Sequence, residues 1–303
     1  MKATLYQGDC LEVLKHIPDE SVDLIFTSLP YADRRKNVYG GVHPDHYVEW
    51  FLPRAREFYR VLKEDGSFVL NIKERVVEGE RHTYVIELIL ALKKQGWLWV
   101  EEYIWHKKNC YPGKWPNRFR DAWERLLHFT KSKKFKMFQE EVMVPIGDWS
   151  EKRLSKLGQK DLVRLNSASR SGFGKRIANW LGKELVYPTN VLHLPTECTL
   201  KGHSAVFPVE LPQWFIKLFT QSGDTVLDPF VGSGTTCVAS LRLGRNCIGI
   251  DIKREYIDLA EERIKKEVGT LMQVQVIEVG REVNKGSSKS SLDYFAGNMA
   301  LRS

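Results

Sequence analysis

A chain that runs T-V-L-D-P-F-V-G-S-G-T-T from Thr225 to Thr236, and reaches N-C-I-G-I-D at Asn246 after one helical stretch, has few folds open to it. The run from Thr225 has the length of a buried strand. The glycines of G-S-G permit a tight turn, Thr235 to Leu243 has helical periodicity, and the segment from Asn246 is a second apolar strand. Parallel strands need a crossover, and a strand–turn–helix–strand unit is how a chain makes one.

The same alternation occupies the first third. Ala3 to Gln7 is expected as a strand, Leu11 to Ile17 as a helix and Val22 to Thr27 as a strand. From His43 to Leu62, residues Tyr47, Trp50, Phe51, Ala55, Phe58, Tyr59 and Leu62 fall at helical spacing, and the D-G turn at Asp65 leads into the strand Ser67 to Ile72. Tyr84 to Gln95 is a further helix closed by Gly96, and Trp97 to Trp105 alternates like a strand near a sheet edge. Leu211 to Thr220 and Arg254 to Lys266 complete the helices. Val274 to Val279 is strand-like, and K-G-S-S-K-S-S beyond it is expected to be a flexible tail. The class is α/β, with a mostly parallel sheet covered on both faces.

With 303 residues, 43% of them hydrophobic, the chain can bury one large domain, or a domain with an insertion. No long uncharged apolar run occurs, and Met1 to Cys10 lacks a signal pattern, so no membrane partner is expected and the place of work is cytoplasmic. The five cysteines, Cys10, Cys110, Cys198, Cys237 and Cys247, include no C-x-x-C pair and are expected to be reduced, with no metal bound. Charge is uneven. Between His106 and Lys201 there are 20 Lys/Arg against 9 Asp/Glu, so the remainder of this +8 chain carries about −3. That basic segment also holds Tyr111, Trp115, Phe119, Trp123, Trp149, Phe173, Trp180 and Tyr187, and basic residues interleaved with aromatics suit a nucleic-acid groove.

Chemistry concentrates at two strand ends. No G-K-[ST] follows Gly234, and the loop is not G-x-G-x-x-G, yet its glycines let the backbone approach a ligand at a helix N-terminus. Asp251, about 20 residues beyond Gly232, ends the next strand, where an acid can hold both hydroxyls of a ribose. A nucleoside-containing ligand without a triphosphate is implied; a structural turn with a helix cap is the other reading. At the second end, D-L-I-F-T-S-L-P-Y (Asp23 to Tyr31) stops a core strand on a polar residue, a proline and an aromatic.

These residues resemble a known family. V-L-D-P-F-V-G-S-G-T-T with C-I-G-I-D is similar to the S-adenosylmethionine site of DNA amino-methyltransferases, and T-S-L-P-Y resembles their catalytic [S/D/N]-P-P-[Y/F]. Q-G-D-C at Gln7, R-V-L-K-E-D-G-S-F-V-L-N-I at Arg60, D-A-W-E-R-L-L-H-F-T-K-S at Asp121 and G-H-S-A-V-F-P-V-E-L-P at Gly202 agree, so the likeness covers nearly all of 1–266. The catalytic element precedes the cofactor loop, as in the circularly permuted β group, an order that costs little when termini lie close together.

The resemblance implies a Rossmann-like methyltransferase fold with a seven-stranded, mostly parallel sheet and an inserted basic target-recognition region. It divides the chain into a catalytic half (1–107), a basic recognition region with sheet-edge elements (108–200), a cofactor-binding half (201–268) and a C-terminal extension (269–303). The cofactor is S-adenosyl-L-methionine. Asp9 would bind its adenine amine beside Cys10, and Asp251 its ribose. Asp228, Phe230, Gly232, Gly234 and Thr235 would shape the methionine end under Phe207, with Asp228 facing the ammonium. Ser28 Oγ and the Leu29 carbonyl would accept the two N–H bonds of an exocyclic amine ahead of Pro30, and Tyr31 would stack on the base. Leu29 stands where a proline is commoner, so the turn loses a restraint on φ.

A duplex base must be swung out to reach such a site. Double-stranded DNA is the implied partner, with Lys107, Lys108, Lys114, Arg118, Arg120, Arg170, Lys175 and Arg176 as contacts. Phe119 or Trp123 would wall the base pocket unless they are core aromatics. A serine-headed element points to cytosine N4, with adenine N6 as the alternative, a silent DNA-binding subunit as another, and protein glutamine methylation disfavoured by the serine and the basic segment. A cognate restriction endonuclease and a monomer or homodimer are further expectations.

Overall fold

The computed structural model describes residues 1–30, 41–110, 116–147, 154–163, 181–197, 207–269 and 273–279. In chain order the strands are β1 (Lys2–Gln7), β2 (Val22–Ser28), β3 (Leu62–Ile72), β4 (Val76–Val77), β5 (Glu80–Arg81), β6 (Leu98–Lys107), β7 (Trp123–Thr130), β8 (Val144–Pro145), β9 (Leu185–Val186), β10 (Val191–Leu194), β11 (Thr225–Asp228), β12 (Asn246–Asp251) and β13 (Gln273–Glu278). The helices are α1 (Cys10–Leu14), α2 (Tyr47–Val61), α3 (Tyr84–Lys94), α4 (Gln159–Val163), α5 (Glu210–Phe219), α6 (Thr235–Arg242) and α7 (Arg254–Val268). Two strand pairs, β4–β5 and β8–β9, stand apart from one large sheet.

That sheet has nine strands in the order β10-β6-β7-β3-β2-β11-β12-β1-β13. β7 runs antiparallel to both neighbours, and the other pairings are parallel. The expected count of seven is therefore corrected to nine. The edges explain the surplus: β10 adds four residues beside β6, and β13 covers the open side of β1 over its full six-residue length. An uncovered parallel edge would leave a row of unpaired backbone groups.

Helices cover both faces because apolar residues point both ways from the central strands. On one face Ile25, Phe68, Leu70 and Phe129 pack under α1, α2 and α3. In α2 the buried residues Tyr47, Phe51, Ala55, Phe58 and Val61 recur every three or four positions, the stripe that the sequence periodicity predicts. Each such aromatic or aliphatic side chain contributes roughly 1.5–3 kcal/mol by burial. On the other face Leu24, Phe26, Val69 and Leu126 lie under α5, while Ala3, Leu5 and Cys247 lie under α6 and α7.

The cysteine expectation needs one correction. Cys237 of α6 and Cys247 of β12 form a disulfide, whereas Cys10 and Cys110 are free. The helix packs directly on the strand that follows it, which brings two buried sulfurs together without any C-x-x-C spacing. Among the described residues no helix is long and apolar enough to cross a membrane.

Candidate active site

The carboxyl ends of five neighbouring parallel or like-directed strands form one row. From β3 through β2, β11, β12 and β1, the row presents Asn71, Ser28, Asp228 and Asp251, with Asp9 two residues past β1. In chain order these residues are scattered over more than two hundred positions. Strand order alone gathers them, at the sheet edge where α/β folds hold ligands.

β2 ends at Ser28, which is half-buried; Leu29 returns to the core at 3% exposure, among the residues beneath α1 and α2. Pro30 has no N–H to continue a ladder, and its carbonyl instead accepts a hydrogen bond of 2.8 Å from the Tyr47 hydroxyl. Tyr47 is itself buried against Tyr84 and Trp50, and burial holds its phenol well above the ordinary range, so it remains a donor. Side-chain packing of Leu29 and the Tyr47 bond thus fix the turn that a second proline would otherwise restrain. Tyr47 escaped sequence reasoning because it reads as one more apolar position of α2.

The acids are held differently. Asp228 is 2% exposed and held by three bonds: Oδ1 accepts from Thr27 Oγ1 at 2.7 Å and the Phe230 N–H at 3.1 Å, and Oδ2 accepts from Thr236 Oγ1 at 2.6 Å. Burial pushes its pKa up to about 6 against these bonds. Its geometry braces the ends of β2 and β11, while Oδ2, with one donor, keeps a second lone pair that can accept from a ligand's ammonium. Asp251 Oδ2 accepts from the Gly232 N–H at 3.1 Å, and Oδ1 from the Lys253 N–H at 2.9 Å. Burial, with the Asp228 charge nearby, raises its pKa to about 6.

Gly234 caps α6 with φ of +80°, and a Cβ there would stand 2.9 Å from that of Ala260. A side chain is excluded on both counts. Behind the loop, Arg263 donates to Thr235 Oγ1 at 2.7 Å, so the hydroxyl of Thr235 is tied to α7. Phe230 faces Trp50 across 5.9 Å, and the Arg54 guanidinium lies over the Trp50 ring at 4.5 Å.

Arg54 also donates to both oxygens of Asp9, at 3.2 and 3.1 Å. The side chain of Asp9 accepts from the Leu11 N–H as the N-cap of α1 and keeps 27% exposure. Cys10 is buried, and burial raises its thiol to about 12, which leaves it inert. Phe207 sits edge-on to Phe26, 5.5 Å away, on the face that β2 shares with α5. Two buried acids at strand ends, a partly exposed one just past β1, a glycine turn and an aromatic on each side suit a ligand with hydroxyl and amine donors. Trp50 and Arg54, four residues apart on α2, join Tyr47 among the site residues that sequence reasoning missed.

The basic candidates divide. Lys107 ends β6, Lys108 follows it, and Arg118 and Arg120 precede β7, so all four belong to the same sheet edge as Ser28. Lys107 is committed to buried Glu124 and to the Trp105 ring; Lys108 and Arg120 are exposed. Phe119 is 96% exposed and is no core aromatic; Trp123 is 37% exposed, with Arg125 over its ring. Tyr31, Lys114, Arg170, Lys175 and Arg176 lie outside the described residues.

A permuted α/β sheet with a serine-headed strand end set beside a glycine loop and its acids defines a group-transfer enzyme of the nucleoside-binding kind. The DNA methylase family matches residues 22–262, and the chain belongs to it. Among its relatives, the type II methyltransferase M.PvuII of Proteus hauseri is 32% identical over 275 residues, 84% of this chain and 81% of that one. M.Cfr9I of Citrobacter freundii is 29% identical over 88% of each chain. The solved PvuII DNA methyltransferase, described as cytosine-N4-specific, superposes with a TM-score of 0.66 at 26% identity, over 91% of this chain and 95% of that chain. A protein of Thermus thermophilus, assigned as a DNA modification methylase and crystallised with S-adenosyl-L-methionine, superposes with a TM-score of 0.62 at 25% identity, over 92% of this chain and 99% of that chain.

Proposed function

We propose that the protein transfers a methyl group from S-adenosyl-L-methionine to the N4 amine of cytosine in double-stranded DNA, as the modification half of a restriction–modification system. The observation that carries this reading is Ser28 placed beside the acid-bearing ends of β11, β12 and β1 in one row. The solved PvuII relative, described as cytosine-N4-specific, favours N4 of cytosine, and N6 of adenine is the second reading because Ser28 can accept from either amine.

An exocyclic amine is a poor nucleophile because its lone pair is delocalised into the ring. Ser28 Oγ accepts one N–H and the Leu29 carbonyl the other, which draws the nitrogen toward tetrahedral geometry and frees the lone pair. Tyr47 holds the turn through Pro30 so that both acceptors are preorganised. When bound, the cofactor supplies a methyl group already activated on a sulfonium. Asp251 accepts its ribose hydroxyls, Asp9 its adenine amine, and the Gly232–Gly234 turn lets the backbone approach, with Phe207 and Phe230 as apolar walls. Lys108, Arg118 and Arg120 face the DNA backbone, and exposed Phe119 is placed to fill the gap left by an extruded base.

In this reading 108–200 is the recognition region, and the protein works in the cytoplasm as a monomer or homodimer beside a cognate endonuclease. Incubation with labelled cofactor and duplex DNA, followed by nucleoside mass analysis, yields N4-methylcytosine. N6-methyladenine selects the second reading, and no methylated base leaves a silent DNA-binding subunit. Ser28→Ala is expected to lose on the order of a hundredfold in turnover with cofactor binding unchanged; equal turnover removes Ser28 from the mechanism.

A further inference from the structure

Asn71 is 1% exposed, yet neither its Nδ2 nor its Oδ1 has a hydrogen-bond partner among the described residues. It stands one residue before the end of β3, in register with Ser28 of β2 on one side and Leu126 of β7 on the other. Strand alternation turns it to the face it shares with Val69 and Ser28. Its surroundings are apolar: Val69, Leu126 and Phe26 belong to the core on that face, and Phe207 packs on Phe26. A leucine would fill this place without burying two unsatisfied amide atoms, and such groups are rare enough that each asks for a use.

We infer that Asn71 Nδ2 donates a hydrogen bond to the ring nitrogen next to the reactive amine of the extruded base. The inference rests on the reading of Ser28 given above. Ser28 Oγ and the Leu29 carbonyl are acceptors and serve the two amine hydrogens; neither can serve the ring atom beside the amine, which is itself an acceptor. That atom is N3 in cytosine and N1 in adenine. Thymine and guanine carry N–H at the corresponding ring position, which meets Nδ2 donor to donor. Asn71 therefore selects bases that pair an amine with a neighbouring acceptor, and a site built around such a bond discriminates strongly against a base that lacks it.

The test compares two duplexes, built once the methylated site has been mapped by sequencing treated DNA. One carries the natural target base. The other carries its deaza analogue, 3-deazacytosine or, for an adenine target, 1-deazaadenine, in which C–H replaces the ring nitrogen and the amine is kept. The wild-type protein is expected to lose about 10- to 100-fold in kcat/KM on the analogue. Asn71→Leu loses a similar factor on the natural base and little more on the analogue, with unchanged affinity for S-adenosylhomocysteine. Equal wild-type rates on the two duplexes overturn the inference without any variant. So does an Asn71→Leu protein that keeps the wild-type ratio. Absence of any methylated base with wild-type protein overturns the functional reading, a result distinct from either.

Discussion

Asp251 shows how much one residue can owe to its surroundings. In the sequence it is an acid ending a strand; in the fold its two oxygens take N–H bonds from Gly232 and Lys253, and burial lifts its pKa to about 6. A ribose hydroxyl donates best to the ionised carboxylate. As pH falls through 6 the carboxyl protonates in the free protein, so cofactor affinity weakens on the acid side and is steady above it. Calorimetric titration with S-adenosylhomocysteine should show a Kd rising by up to about tenfold per pH unit below that point. Asp251→Asn should bind more weakly and lose this dependence; a parallel pH profile in the variant assigns the proton elsewhere. The place of this acid beside the glycine loop was legible in the sequence, because an acid that ends the next strand at that spacing falls at the same sheet edge. The bracing of Asp228 was not, since Thr27 and Thr236 are ordinary strand and helix residues until the fold puts their hydroxyls 2.7 and 2.6 Å from one carboxylate.

At the scale of elements, the periodicity of α2 and the strand–turn–helix units were read correctly because local pattern and burial agree. The pairing of Cys237 with Cys247 and the docking of Arg54 on Asp9 were illegible for one reason. Each depends on which element packs against which, and neither spacing carries a signal of its own. The glycine turn is where element packing is tightest. Gly234→Ala places a methyl group 2.9 Å from the Cβ of Ala260 and forces an L residue to φ +80°. The expected result is a loss of about 1–3 kcal/mol in denaturant unfolding, with weakened cofactor binding as α6 shifts from α7. Unaltered stability and affinity in this variant contradict the claimed close approach.

Across the whole molecule, the two ends of the chain interleave. β2 lies against β11, and β1 lies between β12 and β13, so the first and last thirds of the chain alternate within one sheet. Local pattern indicated most of the sheet's strands, but neither β7 nor β10, and not this order; the two edge strands that raise the count to nine are short segments whose partners are distant in sequence. Fragments 1–163 and 164–303, produced separately, are therefore expected to lack cooperative unfolding and activity alone. Mixed, they should regain transfer at a rate that rises with both concentrations; a fragment active by itself refutes the interleaving.

β1 gives this arrangement a temporal side. Its backbone partners lie in β12 and β13, and Lys2 donates to the Asn246 side chain across 244 positions. At the pace of synthesis, roughly 5–20 residues per second, the first strand waits on the order of 10–50 s for the second of its neighbours to be made. Through that interval it is an unpaired edge on a ribosome-bound chain. Completion of the sheet therefore waits on the synthesis of β13, and yield in a cell should depend on what shields β1 in the meantime.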